Sequence, residues 1–510
     1  MSLPIALYTD LILFNNMALY KIEWEKYLVD KRGRNSTRKN NTNNVVDPRN
    51  PFESDLGRVA FSIATRRMHD KTQVIPLTTG DCVHTRLTHS IEVMNVAESL
   101  CMNLCRTEDF INNYGDKAAE YEKKISAILR TAALIHDIGN PPFGHFGEET
   151  IQNFFKSESG SKYVKGLDNS KIPDFTEFDG NAQGLRVLTK LQYLGDLSGL
   201  NLTYGTLAAF IKYPNYGPKE SKEETYIGKK KHGVFFSEHD LLDKIVAECS
   251  LNTESGITKR HPLVFLVEAA DSICYDIMDI EDALSMDWIH FNEFEKKLGE
   301  MAYEISKEKG SISDDDPNRK EMFIDISNII NFKYSNAISM KKNIVNFRVA
   351  IIGYLINVAV ETFKDNLEAI DKGTYSKELL DGDKYHIGDA LSKYARTYVF
   401  SKKEISSLEL TGEAVITGLL NLVLRCVFSE NSQYRKRIKS VISNNCLCLN
   451  IHENSQANNS IKFNPLQENL DFDLKEMDTY NKLKLVVDWI SGMTDKYALE
   501  VYQQLSGSLL

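Results

Sequence analysis

The sequence predicts an all-α protein built from amphipathic helices. Apolar residues recur at spacings of three and four, as on one face of a helix, within residues 91–104, 125–135 and 263–280. Alternating patterns typical of strands are few and short, for example Gly233–Ser237. The three apolar stripes are Ile91, Met94, Ala97, Leu100 and Leu104; Ile125, Ile128, Leu129, Ala132 and Ile135; and Leu263, Leu266, Ala270, Ile273, Ile277 and Ile280. We therefore expect helix-on-helix packing.

Length and composition are those of an ordinary globular protein. The 510 residues are enough for one large domain or for two to three smaller ones. Apolar residues make up 42%, charged residues make up 26%, and the net charge of −10 argues against coating of nucleic acid as the main task. The eight cysteines form no CxxC pair, the N-terminal residues lack a signal-peptide pattern, and no run of about 18 apolar residues occurs. We expect a cytoplasmic protein with reduced thiols and no membrane span.

Two segments are expected to lie outside the helices. Residues 30–50 are polar, Asn-rich and basic, which favours a solvated arm or loop. The basic stretch 31–39 within this arm leaves contact with phosphate or nucleic acid as the alternative. Residues 450–465 are expected to form a further surface loop.

The stretch Leu134–Glu148, with the sequence LIHDIGNPPFGHFGE, is the richest in chemical information. A helix is expected to run into His136 and Asp137 and then end, because Gly139 suits the position past a helix end and Pro141–Pro142 cannot continue the helix. Imidazole nitrogen and carboxylate oxygen together suit Mn, Fe, Co, Ni or Zn, and with added waters also Mg.

Adjacent helical residues diverge by about 100°, so this pair needs further ligands from other helices. His89 is a candidate because it lies near the start of an amphipathic helix, just after Thr85–Thr88. Asp271 is another, because a carboxylate within an otherwise apolar helix is costly to bury and a metal ion relieves that cost. A lone HD dipeptide is common, and a lone buried Asp more often pairs with Arg or Lys. The order H…HD…D on three helix-like segments nevertheless indicates a metal site.

His145 and Glu148 follow the proposed metal pair after a turn rich in Gly and Pro. Their spacing of three residues brings both groups to one side of a helix. Such a His can donate a proton to a leaving oxygen or orient water, and the carboxylate can hold its working tautomer. The alternative for Glu148 is a favourable interaction with the dipole in the first turn of a helix.

These residues resemble the HD superfamily and, within it, the bacterial deoxyguanosinetriphosphate triphosphohydrolase (dGTPase) family. The resemblance spans about residues 20–505 in order. It is carried by Phe52–Arg58, Arg66–Arg67, Asp70–Val74, Thr85–Ser90, His136–Glu148, Asp179–Gly184, Ile211–Tyr213, Glu268–Tyr275, Val399–Ser401, Leu408–Leu410 and Ile490–Asp495.

The resemblance implies an HD-domain helical fold with additional C-terminal helices. We expect an N-terminal segment with a basic arm at 1–50, an HD catalytic core at 51–300, and a helical C-terminal region at 301–510 that completes the nucleotide site and makes oligomer contacts. The implied reaction is hydrolysis of dGTP to deoxyguanosine and tripolyphosphate by attack of water on the α-phosphorus. The implied cofactor is a divalent metal, Mg²⁺ or Mn²⁺, and the implied assembly is a homo-oligomer, often a hexamer. Single-stranded DNA is a candidate effector.

The site residues that the resemblance implies fall into three groups. The metal ligands are His89, His136, Asp137 and Asp271. The catalytic pair is His145 and Glu148. The substrate contacts are Asn181, Lys212, Tyr213 and Lys231 around the triphosphate, with Arg86 nearby; Gln73 and Asp279 at the sugar 3′-hydroxyl, with Tyr275 against C2′; and Glu409 reading guanine, with Val74 and Phe400 as apolar walls.

Three alternatives to a strict dGTPase stay open. The first is a broader deoxynucleotide triphosphohydrolase, and the second is an HD phosphatase acting on nucleotide monophosphates. The third belongs to another class: a catalytically silent HD protein that regulates or binds single-stranded DNA. The lysines of the cradle favour a triphosphate, since a polyanion of about four charges needs several cations. The presence of all four expected ligands and of the catalytic pair weighs against a silent protein.

Overall fold

The computed structural model describes residues 20–34, 47–73, 84–192, 198–220, 226–254, 256–286, 288–309, 329, 337–458 and 472–508. Within these residues the regular secondary structure is helical, which confirms the predicted all-α class. Backbone pairing of the β type in the same residues is limited to the isolated bridges Arg32–Thr203, Thr72–Thr85 and Asn252–Thr258.

The α-helices of the described residues are numbered here in chain order. The first ten are α1 Pro51–Ala60, α2 Ile63–Arg67, α3 Arg86–Cys105, α4 Glu108–Tyr114, α5 Ala118–Ile135, α6 Gly144–Lys156, α7 Glu158–Val164, α8 Pro173–Thr176, α9 Gly180–Arg186 and α10 Tyr204–Phe210. The others are α11 His239–Glu248, α12 Pro262–Ser285, α13 Phe291–Glu308, α14 Ala337–Asp365, α15 Leu367–Lys372, α16 Ile387–Tyr398, α17 Lys403–Val427, α18 Ser432–Val441, α19 Asn444–Asn458, α20 Thr479–Ser491 and α21 Asp495–Ser506. A π-helical turn follows α9 at Val187–Leu191.

Helices α3, α5 and α12 pack on one another and form the centre of the core. The predicted stripes of α5 and α12 are confirmed, because all their members are buried. The stripe predicted for α3 is partly wrong. Ala97, Leu100 and Leu104 are buried as predicted, but Ile91 is 47% exposed, and the buried face continues through Val93 and His89. The start of α3, the end of α5 and the middle of α12 lie next to one another. The packing of the core therefore brings His89, His136 and Asp271 together.

A buried ionic network joins the C-terminal helices to this core. The Arg186 guanidinium at the end of α9 has no exposed surface. It donates to Asp488 of α20 (2.8 Å), to Glu238 (2.9 Å) and to Glu453 of α19 (2.8 Å). Buried charges of this kind are tolerated only when they are paired and hydrogen-bonded. The predicted surface loop at 450–465 is therefore wrong over its first nine residues, where α19 continues to Asn458 and faces this network.

Two helical stretches of the described residues, 344–365 and 406–427, are long and apolar enough to span a membrane by composition alone. Core helices of globular proteins have the same composition, and both stretches carry side chains without exposed surface, such as Ile351 and Leu419. The absence of a membrane span stays a prediction.

Candidate active site

A compact cluster of three possible metal ligands lies where α3, α5 and α12 meet. One ligand atom from each of His89, His136 and Asp271 lies within 4.8 Å of the others. Asp271 Oδ1 is 3.0 Å from His89 Nε2 and 3.4 Å from His136 Nε2. The ligands are on three different helices, so their geometry depends on the packing of the core.

The hydrogen bonds of His136 fix the tautomer that a metal requires. Its Nδ1 lies 2.7 Å from the backbone oxygen of Ala133, which can only accept, so Nδ1 carries the proton. This leaves Nε2 as the nitrogen with a lone pair. Nε2 is buried and has no hydrogen-bond partner among the described residues. An orphaned buried nitrogen that faces a carboxylate is what a divalent cation would satisfy, so the residues present fit a metal ion.

The imidazoles and carboxylates of the cluster stabilise each other's charged forms. Burial alone lowers the pKa of His136, but the carboxylates of Asp137 and Asp271 outweigh it and raise that pKa to about 9. Burial works against ionisation of Asp271 as well, yet the neighbouring His136 and His89 hold its pKa well below the usual range. A cation that binds here takes the place of the proton on His136.

Asp137 lies at the edge of the cluster and is held by two donors. Its Oδ1 is 3.6 Å from His136 Nε2 and accepts a hydrogen bond from Asn140 Nδ2 at 2.7 Å. Its Oδ2 accepts from Arg86 Nη1 at 2.6 Å. Arg86, which was expected near the triphosphate, also lines the cavity that contains Gln73 and Tyr275. Its contact with the triphosphate stays a prediction.

His145 and Glu148 form the hydrogen-bonded pair that their spacing predicts. His145 Nδ1 lies 2.9 Å from Glu148 Oε2, and the backbone N–H of Gly180 donates to Glu148 Oε1 at 2.6 Å. The hydrogen bond to Glu148 raises the pKa of His145. The His145 side chain is 72% exposed whereas that of Glu148 is 6% exposed, so the imidazole can reach a ligand while the carboxylate anchors it. Gly180 permits this anchor, because a Cβ there would lie 2.6 Å from Glu148 Oε1.

Two cavities meet at this group of residues. The larger, of about 260 Å³, is lined by Thr72, Gln73, Arg86, Asp137, Phe143, His145, Phe146, Asp271, Tyr275, Phe400 and Glu409. The smaller, of about 100 Å³, is lined by His136, Asp137, Asn140, His145, Asn181, Ala209, Phe210, Lys212, Tyr213, Lys231, Val264, Val267, Glu268 and Asp271. Asp137, His145 and Asp271 belong to both walls, so the metal-ligand candidates stand at the junction.

The smaller cavity is surrounded by cations. Lys212, Lys231 and Arg260 lie 5.6, 5.9 and 5.2 Å from the centre of the Tyr213 ring. Lys212 pairs with Glu268, and Lys231 Nζ is 3.0 Å from Asp179 Oδ2. The lysines predicted for the triphosphate cradle are thus brought together, each beside a carboxylate that an incoming polyanion would replace.

The larger cavity is aromatic and contains the predicted base-reading carboxylate. The rings of Tyr275 and Phe400 are 6.3 Å apart, and Glu409 of α17 lines the same space. Burial, with a smaller contribution from Glu149, raises the pKa of Glu409. Asp279 lies two turns beyond Asp271 on α12, is 2% exposed, and does not line this cavity. Val74 lies outside the described residues.

Sequence reasoning missed the residues that hold the predicted ones in place. Asn140 fixes Asp137, Glu268 pairs with Lys212 and Arg260, and Asp179 pairs with Lys231. Asn140 lies three residues after Asp137, a spacing that would have indicated it. The carboxylates Asp179 and Glu268 carry no such local signal, because their partners are distant in sequence.

Comparison with known proteins gives two domain matches and several long relatives. Residues 86–174 match the HD domain, and residues 462–504 match the phosphohydrolase-associated domain. A "deoxyguanosinetriphosphate triphosphohydrolase-like protein" from Listeria monocytogenes is 35% identical over 95% of this chain and 100% of its own length. One from Synechocystis sp. is 31% identical over 95% of this chain and 99% of its own length. A "probable deoxyguanosinetriphosphate triphosphohydrolase" from Pseudomonas aeruginosa is 30% identical over 89% of this chain and 92% of its own length.

Proposed function

This chain belongs to the deoxyguanosinetriphosphate triphosphohydrolase-like family of HD-domain phosphohydrolases, and we propose that it converts dGTP to deoxyguanosine and tripolyphosphate. The coarser activity, hydrolysis of a phosphate ester or anhydride with a divalent metal, follows from the family. The substrate and the bond that is cleaved are the proposal.

The position of the metal-ligand candidates between two unlike cavities carries this proposal. One cavity is lined by aromatic rings and a carboxylate, which suits a nucleoside. The other is lined by lysines and an asparagine, which suits phosphates. A nucleoside triphosphate that spans both cavities has its α-phosphate at the junction, beside His136, Asp137 and Asp271. A nucleotide monophosphate would leave the lysine-lined cavity without a partner.

The proposed site has distinct tasks for its residues. His89, His136, Asp137 and Asp271 would hold the metal, which supplies a Lewis acid beside the phosphoryl oxygens when it is bound. Asn181, Lys212, Tyr213 and Lys231 bind the outer phosphates. Gln73 and Tyr275 would read the sugar, and Phe400 and Glu409 would enclose the base. For Asp279 and Val74 the corresponding roles are those that the family resemblance implies.

His145 is proposed to protonate the leaving oxygen. Water forms a bond to the α-phosphorus and releases a proton to solvent, the bond from that phosphorus to the nucleoside O5′ breaks, and O5′ takes a proton from His145. His145 lines both cavities, and the hydrogen bond to Glu148 raises its pKa, which favours the protonated imidazole. Glu148 accepts the hydrogen bond from Nδ1–H and so stabilises the imidazolium, which leaves the Nε2 proton for the leaving oxygen.

The experiment that tests the proposed function is incubation of the purified protein with each deoxynucleoside triphosphate and monophosphate and with Mn²⁺ or Mg²⁺, followed by product identification by mass. We expect deoxyguanosine and tripolyphosphate from dGTP, and slower reaction of the other triphosphates. Equal rates with all four triphosphates would favour the broader triphosphohydrolase, and release of orthophosphate would contradict the proposed cleavage. A homo-oligomer, a cytoplasmic location and an effect of single-stranded DNA belong to the same proposal.

Replacement of Glu409 by alanine is expected to relax the preference for guanine. A carboxylate can accept from both N1–H and N2–H₂ of guanine, an arrangement that adenine does not offer. Loss of hydrogen bonds to a charged group lowers the ratio of kcat/KM for dGTP to that for dATP by about 10- to 100-fold. The matched control is Glu413→Ala, on the exposed face of the same helix one turn later. An unchanged ratio in Glu409→Ala would refute the base-reading role.

A further inference from the structure

Asp495 is a buried carboxylate from the C-terminal region that reaches the candidate active site. It is the first residue of α21, belongs to the segment matched to the phosphohydrolase-associated domain, and is 2% exposed. The cap of this helix is Thr494, whose side chain accepts from Tyr497 N. Capping therefore does not require Asp495, and its side chain bonds instead to two segments more than 350 residues earlier in the chain.

One oxygen of Asp495 holds the turn that precedes His145. Asp495 Oδ1 accepts from the backbone N–H of Phe143 at 2.9 Å. Phe143 has a φ of 62°, a left-handed conformation that a bulky side chain seldom adopts unless its surroundings impose it. Helix α6 starts at the next residue and carries both His145 and Glu148. The hydrogen bond to Asp495 thus fixes the direction in which α6, with His145 and Glu148, continues from the turn.

The other oxygen of Asp495 holds the segment that contains Gln73. Asp495 Oδ2 accepts from Thr72 N at 3.1 Å and from Thr72 Oγ1 at 2.6 Å. Thr72 also bridges to Thr85, the cap of α3, so the same segment lies against the start of the helix that bears Arg86 and His89. One carboxylate therefore links the proposed sugar-reading residue with the proposed proton donor.

Lys71 forms a second link between the same three segments. Its ammonium, on a side chain that is 4% exposed, donates to the backbone oxygens of Asn140 at 2.5 Å and of Ser491 at 3.1 Å. Asn140 in turn donates to Asp137. Both ends of the turn 140–143 are thus tied to the C-terminal region. Lys71 bridges Asn140 to Ser491, and Asp495 bonds directly to Phe143.

We propose that Asp495 is a positioning residue of this enzyme, which sets the Gln73 segment and the His145 turn at the distance that a bound deoxynucleotide requires. This inference rests on the proposed function for its substrate, but the contacts that carry it do not. It also gives a reason for the pairing of the HD domain with the associated domain in one chain: the second domain supplies the carboxylate that fixes the first domain's active-site turn.

The test compares Asp495→Asn with Asp478→Asn. Asp478 caps α20 in the same C-terminal region by accepting from Asn481 N at 2.8 Å, so it controls for the loss of a carboxylate at a helix start. Each protein is assayed with dGTP and with 2′,3′-dideoxyguanosine triphosphate, which lacks the 3′-hydroxyl. We expect Asp495→Asn to lower kcat by at least about tenfold and to reduce the preference for dGTP over the dideoxy substrate by about tenfold, because misplaced groups lose oriented contacts. Asp478→Asn is expected to change neither quantity.

The inference would be overturned by a folded Asp495→Asn protein whose kcat and substrate preference are both within twofold of wild type. If this variant does not fold, Thr72→Val and Thr72→Ser take its place: the inference requires that Val lower the preference for dGTP and that Ser, which keeps the hydroxyl, retain it. If the wild-type protein hydrolyses no deoxynucleotide, the proposed function is wrong. The positioning role of Asp495 is then tested separately, by the rate of amide hydrogen exchange. Faster exchange of the Thr72 and Phe143 amides in Asp495→Asn than in Asp478→Asn would support it, and equal exchange would refute it.

Discussion

Replacement of His136 by alanine is expected to abolish metal binding and to lower hydrolysis by more than about 100-fold. His136 Nε2 is a buried nitrogen without a hydrogen-bond partner in the described part of the chain, and it lies 3.4 Å from Asp271 Oδ1. Without it, one of the two imidazole ligands is lost, and His89, Asp137 and Asp271 are too few to hold a divalent ion firmly. Metal content by elemental analysis and dGTP turnover are measured on the same preparations.

The control for this variant is His69→Ala, since the side chain of His69 is 70% exposed and pairs with Asp70 away from the cluster. It should keep both metal and activity. A His136→Ala protein that retains metal and hydrolyses dGTP at the wild-type rate would show that the assignment of the metal site is wrong. Thermal unfolding of both variants separates loss of the metal from loss of the fold.

Removal of the imidazole of His145 is expected to have the second large effect. His145→Ala should lower kcat by about 10²- to 10⁴-fold, the range of a lost general acid, while metal content stays at the wild-type level. The reason is that His145 lines both cavities and is not a member of the metal-ligand cluster. Loss of metal from His145→Ala would instead assign it to the metal site.

The pH dependence of kcat tests the role of the pair. Glu148 raises the pKa of His145, so the protonated imidazole persists to higher pH. Activity is expected to fall as the pH rises through the pKa of His145. Glu148→Gln removes the raising carboxylate, and the alkaline limb of the kcat profile should move to lower pH. Glu149→Gln, at the exposed neighbouring position, should leave the limb in place. An alkaline limb that stays put in Glu148→Gln would contradict general-acid catalysis by His145.

The chemistry of the site could be predicted where it depends on local sequence. His136 and Asp137 follow an apolar helix that ends at a Gly- and Pro-rich turn, and His145 and Glu148 are one turn apart, so spacing alone brings each pair together. His89 and Asp271 could be assigned to the same site only from the order of the motifs along the chain. The structure adds how near they are: Asp271 Oδ1 lies within 3.4 Å of both imidazoles.

Contacts between distant segments could not be predicted. Arg86 pairs with Asp137, a contact between residues 51 positions apart that no local spacing indicates. Residues 450–458 were expected to form part of a surface loop. In the structure Asn450 donates to Asp488 Oδ2 at 2.9 Å and Glu453 pairs with Arg186, so polar side chains that look solvent-facing are part of a buried network.

The central claim is that water attacks the α-phosphorus of dGTP at the junction of the two cavities. The most direct measurement is hydrolysis of dGTP in ¹⁸O-labelled water, with both products analysed by mass. We expect one ¹⁸O atom per turnover in tripolyphosphate and none in deoxyguanosine, because the bond that breaks is the one between the α-phosphorus and O5′. Label in deoxyguanosine, or release of labelled orthophosphate with dGDP, would contradict it.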